Sequence, residues 1–470
     1  MTRQAVFAAG LLLSGCAVGP DFRPAATPPA ASAAFTAATP ATATPAATPA
    51  AWWRLYDDPV LEALIGEAFA ANTDLRAATA NLRRARAVLA EARGARLPTT
   101  TVGGSAVKAR QSVSTINGPV PFESDFYRLG LDASYEIDLY GRVGRTIEAA
   151  RADAEAEAAA RDTVRISVAA ETARAYADAC SGARQLAVAQ RSLTLQTDSF
   201  DLTERRVAAG RDSPLDAARA RAQLETTRAA LPGFAADRRS ALFRLAVLTG
   251  KPPSEADPRA AACTAPPRLI QPIPVGDGAA LLKRRPDIRR ADRTLAAATA
   301  RIGVATAELY PKISLGGAIS ASGTSPSAAF SSQGFAFSLG PLISWSFPNI
   351  AGARARIAQS RASAEAALAN FDGSVLTALR ETETALSDYA GAIDRNTALQ
   401  AARDQSGEAV RIVRLRYSAG AENFLAVLDA ERTLATADAQ LAVSDAGLTT
   451  AQIAVFKALG GGWETPAAAP

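Results

Sequence analysis

The sequence contains no histidine and few aromatic residues. Of its 470 residues, 16 are Phe, 8 are Tyr and 4 are Trp, whereas alanine is abundant. The lack of histidine removes the commonest general base and a frequent metal ligand, and no nucleophile-elbow serine motif or glycine-rich phosphate loop is present. These absences argue against an enzyme, a resident metal and an organic cofactor, and so few aromatic residues do not favour large globular cores.

The sequence also lacks a large excess of charge of either sign. The 51 Lys and Arg residues are interleaved with 46 Asp and Glu residues, which gives a formal net charge of +5. A nucleic-acid-binding chain usually carries a basic patch or stripe. The sequence therefore predicts no nucleic-acid partner, and the mixed charges are typical of the solvent-exposed faces of long helices.

The amino terminus has the pattern of a bacterial lipoprotein signal. An apolar run from Val6 to Leu13, too short to span a bilayer, follows Arg3 and ends in Leu13-Ser14-Gly15-Cys16. This pattern predicts a signal peptide over residues 1–15 and a lipid on Cys16. The alternative is an ordinary secretory signal that happens to contain a cysteine. Ala17 follows Cys16 where many inner-membrane lipoproteins have aspartate, which favours the outer membrane.

The other two cysteines are Cys180, on a predicted helix, and Cys263, in a Pro-rich connector. Both are too distant from each other and from Cys16 for a local metal site. In an oxidising compartment we expect Cys180 and Cys263 to form a disulfide, and two buried free thiols are the alternative.

Two stretches roughly 210 residues apart repeat each other, which indicates tandem duplication. Pro98 recurs as Pro311, Leu129-Gly130 as Leu339-Gly340, and Gly210 as Gly420. Each copy predicts a helix, two strands joined by a hairpin loop, a very long helix and a return helix. The predicted helices are about Pro59–Arg96, Arg142–Ala208, Pro214–Thr249, Ala353–Ala419 and Phe424–Leu459. Either long helix would reach roughly 100 Å if straight.

Strict alternation of apolar and polar side chains marks the predicted strands. It runs from Tyr127 to Leu139 and returns from Phe335 to Phe347. The weaker partner strands are about Leu97–Lys108 and Lys312–Ser322, with hairpin loops at Ala109–Ser124, where Asn117 is a turn former, and at Gly323–Gln333. A soluble sandwich strand is the alternative, but this length with aromatic residues on the apolar face favours membrane strands of roughly 10 residues.

The predicted organisation has six segments. They are a signal peptide (1–15), a lipid anchor with an extended Pro/Ala/Thr-rich tether that has no core (16–50), the first repeat (51–250), a Pro-rich equatorial connector (251–285), the second repeat (286–460) and a tail (461–470). Four membrane strands cannot close a barrel, because single-chain barrels need at least about 8 strands and open edges in lipid leave backbone groups unpaired. Several copies must therefore share one barrel.

A set of motifs spread along nearly the whole mature chain resembles the TolC-like outer membrane efflux proteins, specifically the lipidated outer membrane factors of RND-type multidrug pumps (the OprM-like or NodT subfamily). The motifs are Val18-Gly19-Pro20-Asp21, Trp52-Trp53, Asp58-Pro59, Tyr135 to Arg142, Arg284 to Ile288, Ile302 to Ala305, Tyr310-Pro311, Leu428-Asp429-Ala430 and Lys457 to Trp463. The resemblance implies a mainly α, tandem-repeat TolC-like fold. In it, four β-strands per chain enter a shared trimeric β-barrel, which continues into a long periplasmic α-helical barrel.

The same resemblance implies a function. We expect a lipid-anchored homotrimer in the outer membrane of a Gram-negative bacterium, serving as the exit duct of a tripartite pump that passively conducts drugs or other small molecules. Its expected partners are a periplasmic adaptor protein and an inner membrane RND-type transporter. The alternative is the outer membrane channel of a type I protein secretion system. A periplasmic adaptor or a coiled-coil lipoprotein should lack the two strand pairs.

The resemblance also implies gate and docking residues. The positions that match the periplasmic gate are Tyr417, Leu425, Asp429 and Arg432, with Asp216 in the equivalent region of the first repeat. Leu425 and Asp429 share a helix face, where three Asp429 carboxylates in a narrow pore would attract cations. The alternative is a solvent-exposed Asp429–Arg432 pair that contributes little. The adaptor-docking tips are Gly210, Arg211, Gly420 and Ala421. Arg211 departs from the family's small-Gly-apolar turn, and both glycines are expected to terminate helices.

Overall fold

The computed structural model describes residues 17–115, 118–348 and 350–463. The helices in this part of the chain are α1 (Pro59–Ala71), α2 (Thr73–Gly94), α3 (Arg142–Ala208), α4 (Pro214–Leu248), α5 (Pro258–Ala261), α6 (Gly278–Arg284), α7 (Pro286–Ala307), α8 (Pro326–Ala329), α9 (Ile350–Ser418) and α10 (Phe424–Ala458). The strands are β1 (Ala43–Thr44), β2 (Thr99–Thr115), β3 (Gly118–Ile137), β4 (Ile273–Pro274), β5 (Lys312–Gly323) and β6 (Phe335–Ser344). No helix among these residues is both long enough and apolar enough to cross a membrane.

The chain divides into two compact units. Of the described residues, the first contains 17–25, 81–115, 118–158, 290–348 and 350–371, and the second contains 26–80, 159–289 and 372–463. The first unit holds β2, β3, β5 and β6 in one antiparallel sheet. The second unit holds the main aromatic core and the turns that join each long helix to its return helix.

The long helices form as the sequence predicts, with 67 residues in α3 and 69 in α9. Asp138 helps α3 to begin directly after the sheet. Its Oδ1 accepts from the Val143 N–H at 2.9 Å, and its Oδ2 accepts from the Gly144 N–H at 2.6 Å. These bonds satisfy amide groups that have no partner within the first helical turn.

The single helix predicted over Pro59–Arg96 is wrong, because the chain breaks at Asn72 into α1 and α2. Asn72 has φ −57° and ψ 132°, which is not helical. Its Oδ1 accepts from the Asp74 and Leu75 N–H groups at 3.0 and 3.1 Å, while its Nδ2 donates to the Leu248 carbonyl at 3.1 Å. The side chain therefore caps α2 and fastens it to the end of α4.

Asn72→Ala should lower the free energy of unfolding by about 1–2 kcal/mol, because α2 loses its cap and the Leu248 carbonyl loses a donor. Chemical denaturation of the detergent-purified protein measures this loss. Asn81→Ala is the matched control, since Asn81 is an exposed residue within α2. Equal midpoints for the two variants would contradict the capping role.

The four-stranded sheet has one apolar and one polar face. Its order is β2-β3-β5-β6, with every neighbouring pair antiparallel. Residues directly opposite one another share a face. One row of the apolar face is Val102, Leu131, Ile319 and Phe337, and the neighbouring row of the polar face is Thr101, Asp132, Ala318 and Ser338. The side chains of the apolar row stay exposed, Phe337 to 77%.

The first hairpin loop is much shorter than the sequence predicts. Pairing of β2 with β3 continues through Ala109↔Ser124 to Thr115↔Gly118, so most of the predicted loop is strand. Asn117 predicted a turn in this segment. Pro119 and Pro121 are accommodated within β3 because it has only β2 beside it at that height, and proline is tolerated at such an edge. Asn117 lies outside the described residues. The second hairpin loop occurs as predicted and contains the short helix α8.

The extended tether without a core, predicted before residue 51, is wrong for residues 17–50. In the first unit, the Val18 N–H donates to the Tyr140 carbonyl at 3.2 Å, and Asp21 pairs with Arg145 at 2.7 Å. In the second unit, β1 pairs in parallel with β4, and Phe35 is buried. Alanine and threonine serve here because they fit narrow spaces between other elements. Composition alone does not reveal those spaces.

The aromatic core of the second unit is centred on Trp52. Its indole is fully buried and stacks on Phe456, with ring centroids 4.8 Å apart and an interplanar angle of 11°. Tyr56 packs edge-on against both rings. In the same unit, Cys180 and Cys263 form a disulfide with Cα atoms 5.1 Å apart, which joins α3 to the connector between the repeats.

Candidate functional site

The candidate site lies at the two turns where a long helix meets its return helix. Gly210 and Gly420 have φ of +71° and +75°, a left-handed conformation that glycine adopts without strain. The next residue in each turn, Arg211 or Ala421, donates its N–H back to the carbonyl five residues earlier, at 2.8 Å in both turns. The expected helix-terminating role of both glycines is therefore confirmed. All four predicted docking residues are exposed.

A capping residue begins each return helix. The Ser213 Oγ accepts from the Leu215 N–H at 3.1 Å, and the Asp216 carboxylate accepts in turn from the Ser213 N–H at 3.2 Å. Asn423 caps α10 through the Ala426 N–H at 2.9 Å. Asp216, predicted as a gate residue in the first repeat, thus completes a capping box at the start of α4.

Tyr417, predicted as a gate residue, is buried and belongs to a polar triad with Arg206 and Asp212, whose side chains are 21% and 9% exposed. The Tyr417 hydroxyl donates to Asp212 Oδ2 at 2.5 Å, and Arg206 Nε donates to the same oxygen at 3.0 Å. The Arg206 guanidinium also lies over the Tyr417 ring, 4.2 Å from its centroid. The triad joins the first tip turn to the end of α9, so it connects the two repeats within one chain.

The surroundings of the triad shift two pKa values. Burial raises the pKa of Tyr417 to about 12, and its hydrogen bond to Asp212 acts in the same direction. Burial also raises the pKa of Asp212, but the hydrogen bonds from Tyr417 and Arg206 outweigh this effect, so the pKa lies below the ordinary aspartate value. At neutral pH the triad therefore holds a neutral phenol, a carboxylate and a guanidinium.

Apolar side chains surround Tyr417. The Tyr417 and Phe424 ring centroids are 6.1 Å apart, and Val427, Leu428 and Ala220 complete a buried cluster around them. A polar group in such surroundings requires a partner, because a buried group without one costs about 1–3 kcal/mol. The Asp212–Tyr417 bond is therefore expected to stabilise one arrangement of the tip.

A second buried polar cluster joins α3, α9 and α10. Arg414 donates from Nε and Nη2 to Glu431 Oε1 at 2.8 and 2.6 Å, and the Ser199 Oγ reaches the same oxygen at 2.6 Å. The Glu431 side chain is only 3% exposed. This cluster fixes the spacing of the three helices close to the tip.

The structure does not bring the other predicted gate residues into the triad. Leu425 is 55% exposed, and Asp429 and Arg432 are also exposed on α10. Asp429 and Arg432 form no ion pair within 4 Å of each other, so the alternative of a solvent-exposed pair is not realised in the chain. These three side chains therefore remain free to face another surface. Cys16, predicted to carry the lipid, lies outside the described residues.

Sequence reasoning missed Arg206 and Asp212, although a signal for them exists. Each tip turn has an arginine followed six residues later by an acidic residue. Both pairs form salt bridges, Arg206–Asp212 at 3.0 Å and Arg416–Glu422 at 3.5 Å. Only the Arg206–Asp212 pair contacts a tyrosine, which is Tyr417 of the second repeat. The equivalent position 207 of the first repeat is Val, so it offers no such hydroxyl to the Arg416–Glu422 pair. The repeated spacing indicated an ion pair, whereas its burial required the fold.

Comparisons with known proteins agree with this architecture. Residues 64–251 and 279–461 match the outer membrane efflux protein family. Nodulation protein T of Rhizobium leguminosarum bv. trifolii is 30% identical over 435 residues, which cover 92% of this chain and 91% of that protein. The outer membrane protein OprJ of Pseudomonas aeruginosa is 31% identical over 418 residues, which cover 88% of this chain and 86% of that protein. The solved structure of the outer-membrane channel OprN superposes with a TM-score of 0.89 at 36% identity, covering 95% of this chain and all of that one.

The chain therefore belongs to the outer membrane efflux protein family. It has the TolC-like fold of these channels, it is an outer membrane protein, and it acts as an efflux channel and not as an enzyme. The family, the fold class and the channel function predicted from the sequence motifs are confirmed.

Proposed function

We propose that three copies of this chain form the exit duct of a tripartite efflux pump. The observation that carries this proposal is the two-faced sheet, whose outer strands β2 and β6 each have one edge without a neighbour in the described part of the chain. In lipid an unpaired strand edge leaves amide and carbonyl groups without partners, at several kcal/mol each. Pairing β2 of one copy with β6 of the next satisfies both edges and directs the polar face inward.

The partners follow from the same assembly. We propose that a periplasmic adaptor docks at the exposed tip turns, which contain Gly210, Arg211, Gly420 and Ala421, and couples the duct to an inner membrane RND-type transporter. Relatives named as pump components support this proposal, among them the toluene efflux pump outer membrane protein of Pseudomonas putida, which is 28% identical over 459 residues. The lipid on Cys16 would hold each copy at the membrane.

The closed tip is proposed to have two components. The Arg206–Asp212–Tyr417 triad holds the two repeats of one copy together, and the exposed face of α10 that contains Leu425 and Asp429 lines the opening. A cation passing this opening would meet three Asp429 carboxylates, and an anion would be repelled by them.

Asp429→Ala should raise single-channel conductance in planar bilayers and weaken cation preference, because it removes the charged ring without disturbing a contact inside the chain. Asp237→Ala is the matched control. Asp237 is also exposed, but it lies within α4, well away from the tip turn in sequence. Conductance and ion preference unchanged from wild type would remove Asp429 from the gate.

Native mass spectrometry of the detergent-purified protein tests the assembly, with three copies as the expected result. Deletion of the gene should increase the sensitivity of the cells to small toxic compounds and leave protein secretion unchanged. A monodisperse single copy that forms no pore would overturn the proposal. Loss of a secreted protein without any change in sensitivity would favour a type I secretion duct.

A further inference from the structure

The first hairpin continues as a two-stranded ribbon beyond the sheet. Pairing of β3 with β5 ends at Tyr127↔Gly323, whereas pairing of β3 with β2 continues to Thr115↔Gly118. Beyond Tyr127 the ribbon therefore has no third strand among the described residues. A two-stranded ribbon by itself is only marginally stable in water.

The two faces of this hairpin exchange their character at Tyr127. The register is one-for-one from Thr99↔Ser134 to Thr115↔Gly118, without a bulge, so no side chain changes face through a slip. On the face that contains Val102 and Leu131, apolar residues continue as far as Tyr127. The next pairs on that face are Lys108↔Asp125 and Arg110↔Glu123, and the second of these forms an ion pair at 3.7 Å.

The opposite face changes in the reverse sense. Along β3 this face contains Glu136, Asp132 and Arg128, and beyond Arg128 it contains Phe126 and Phe122 with Ser124 between them. Val107 lies directly opposite Phe126 and adds a third apolar side chain. All three are open to solvent in the single chain, Val107 by 52%, Phe122 by 55% and Phe126 by 46%.

These patterns place the ribbon outside the hydrocarbon layer. Charged pairs on the face that lies toward lipid indicate that the membrane ends near Tyr127, since charges on the lipid face are costly. The apolar side chains beyond that level point to the same side as the polar wall of the conduit. They are not lipid contacts, and uncovered in water they would form an unfavourable apolar patch.

We propose that the Val107, Phe122 and Phe126 side chains of neighbouring copies cover one another and form an apolar collar at the external mouth of the duct. The inference depends on the proposed trimer, because the occupant of each apolar face is the same face of another copy. At that height the ribbons of the other copies are the surfaces that shared symmetry brings to face it. An apolar constriction resists water and ions while it admits amphiphilic solutes.

Cysteine cross-linking tests the collar by comparing two residues that are neighbours in the sequence. Phe126→Cys and Asp125→Cys are adjacent in sequence and lie on opposite faces of the ribbon. In outer membranes treated with a short dimaleimide, Phe126→Cys should shift to covalent dimers on a denaturing gel, because the single introduced thiol of each copy can be joined to only one other, and Asp125→Cys should remain monomeric. Val107→Cys with Lys108→Cys repeats the comparison on β2, in case one substitution disturbs folding.

The outcomes separate the collar from the trimer. Native mass spectrometry that finds three copies, together with equal cross-linking of both members of each pair or none of either, would overturn the collar and leave the proposed function intact. Preferential cross-linking of Asp125→Cys would show that the apolar face points outward. Single copies in the mass spectrum would overturn the proposed function itself.

Discussion

Asp212→Ala increases the single-channel conductance of the reconstituted protein, because the buried Tyr417 hydroxyl loses its acceptor. A buried O–H donor without an acceptor costs about 1–3 kcal/mol, which corresponds to roughly a 5- to 150-fold shift in a two-state equilibrium. Tyr417→Phe removes the same bond from the other side and should raise conductance less, since the Arg206–Asp212 ion pair survives. Bilayer recordings of both variants measure the shift.

The double variant distinguishes a shared bond from two separate effects. If Asp212 and Tyr417 act through one hydrogen bond, Asp212→Ala with Tyr417→Phe should raise conductance by less than the product of the two single effects. Asp201→Ala is the control, because it removes an exposed carboxylate from α3, the helix that contains Arg206. Trimers with wild-type conductance in both single variants would contradict the role of the triad.

The triad should keep its effect across the ordinary pH range. The pKa of Tyr417 is raised to about 12 from its usual 10.0, so the contribution of the neutral phenol is complete below 10.0 and disappears as pH rises through about 12. The pKa of Asp212 lies below the usual 3.8, so the contribution of the carboxylate is complete above 3.8 and disappears as pH falls through the lowered value. The conductance ratio of Asp212→Ala to wild type should therefore be constant between about pH 5 and pH 9.

Trp52→Ala has the largest expected effect on stability. The indole is completely buried against Phe456, and Gly461 and Gly462 pass so close that an added Cβ would lie 3.1 and 3.3 Å from indole atoms. Truncating it should cost about 3–5 kcal/mol, because the buried apolar contacts are lost and the surroundings fill the resulting cavity only in part. The denaturant midpoint of the helical circular dichroism signal measures this cost.

Leu55→Ala provides the comparison for Trp52→Ala. Leu55 lies in the same short turn but is 37% exposed, so its truncation should lower the midpoint much less. Trp52→Phe should fall between the two variants, since the stacked ring contact with Phe456 is partly kept. A midpoint for Trp52→Ala that equals that of Leu55→Ala would show that this core does not limit stability.

Some features of the site were predictable because their causes are local. The glycine conformations at Gly210 and Gly420 follow from residues within one turn, and the apolar alternation of β3 follows from the period of a strand. The Arg206–Asp212 pair was present as a repeated spacing. Its meeting with Tyr417 was not predictable, because a contact between residues 205 positions apart depends on how the two repeats pack.

The sequence by itself determined the duplicated order of elements, the long helices and the two-faced strands, because periodicity and helix-ending residues act over a few positions. Tertiary structure decided the break at Asn72, whose amide binds the Leu248 carbonyl, and the docking of residues 17–50 onto other elements. It also decided which charged residues are buried together and which stay exposed on α10. Such contacts join distant parts of the chain. A local sequence pattern does not indicate which other segment will pack against it.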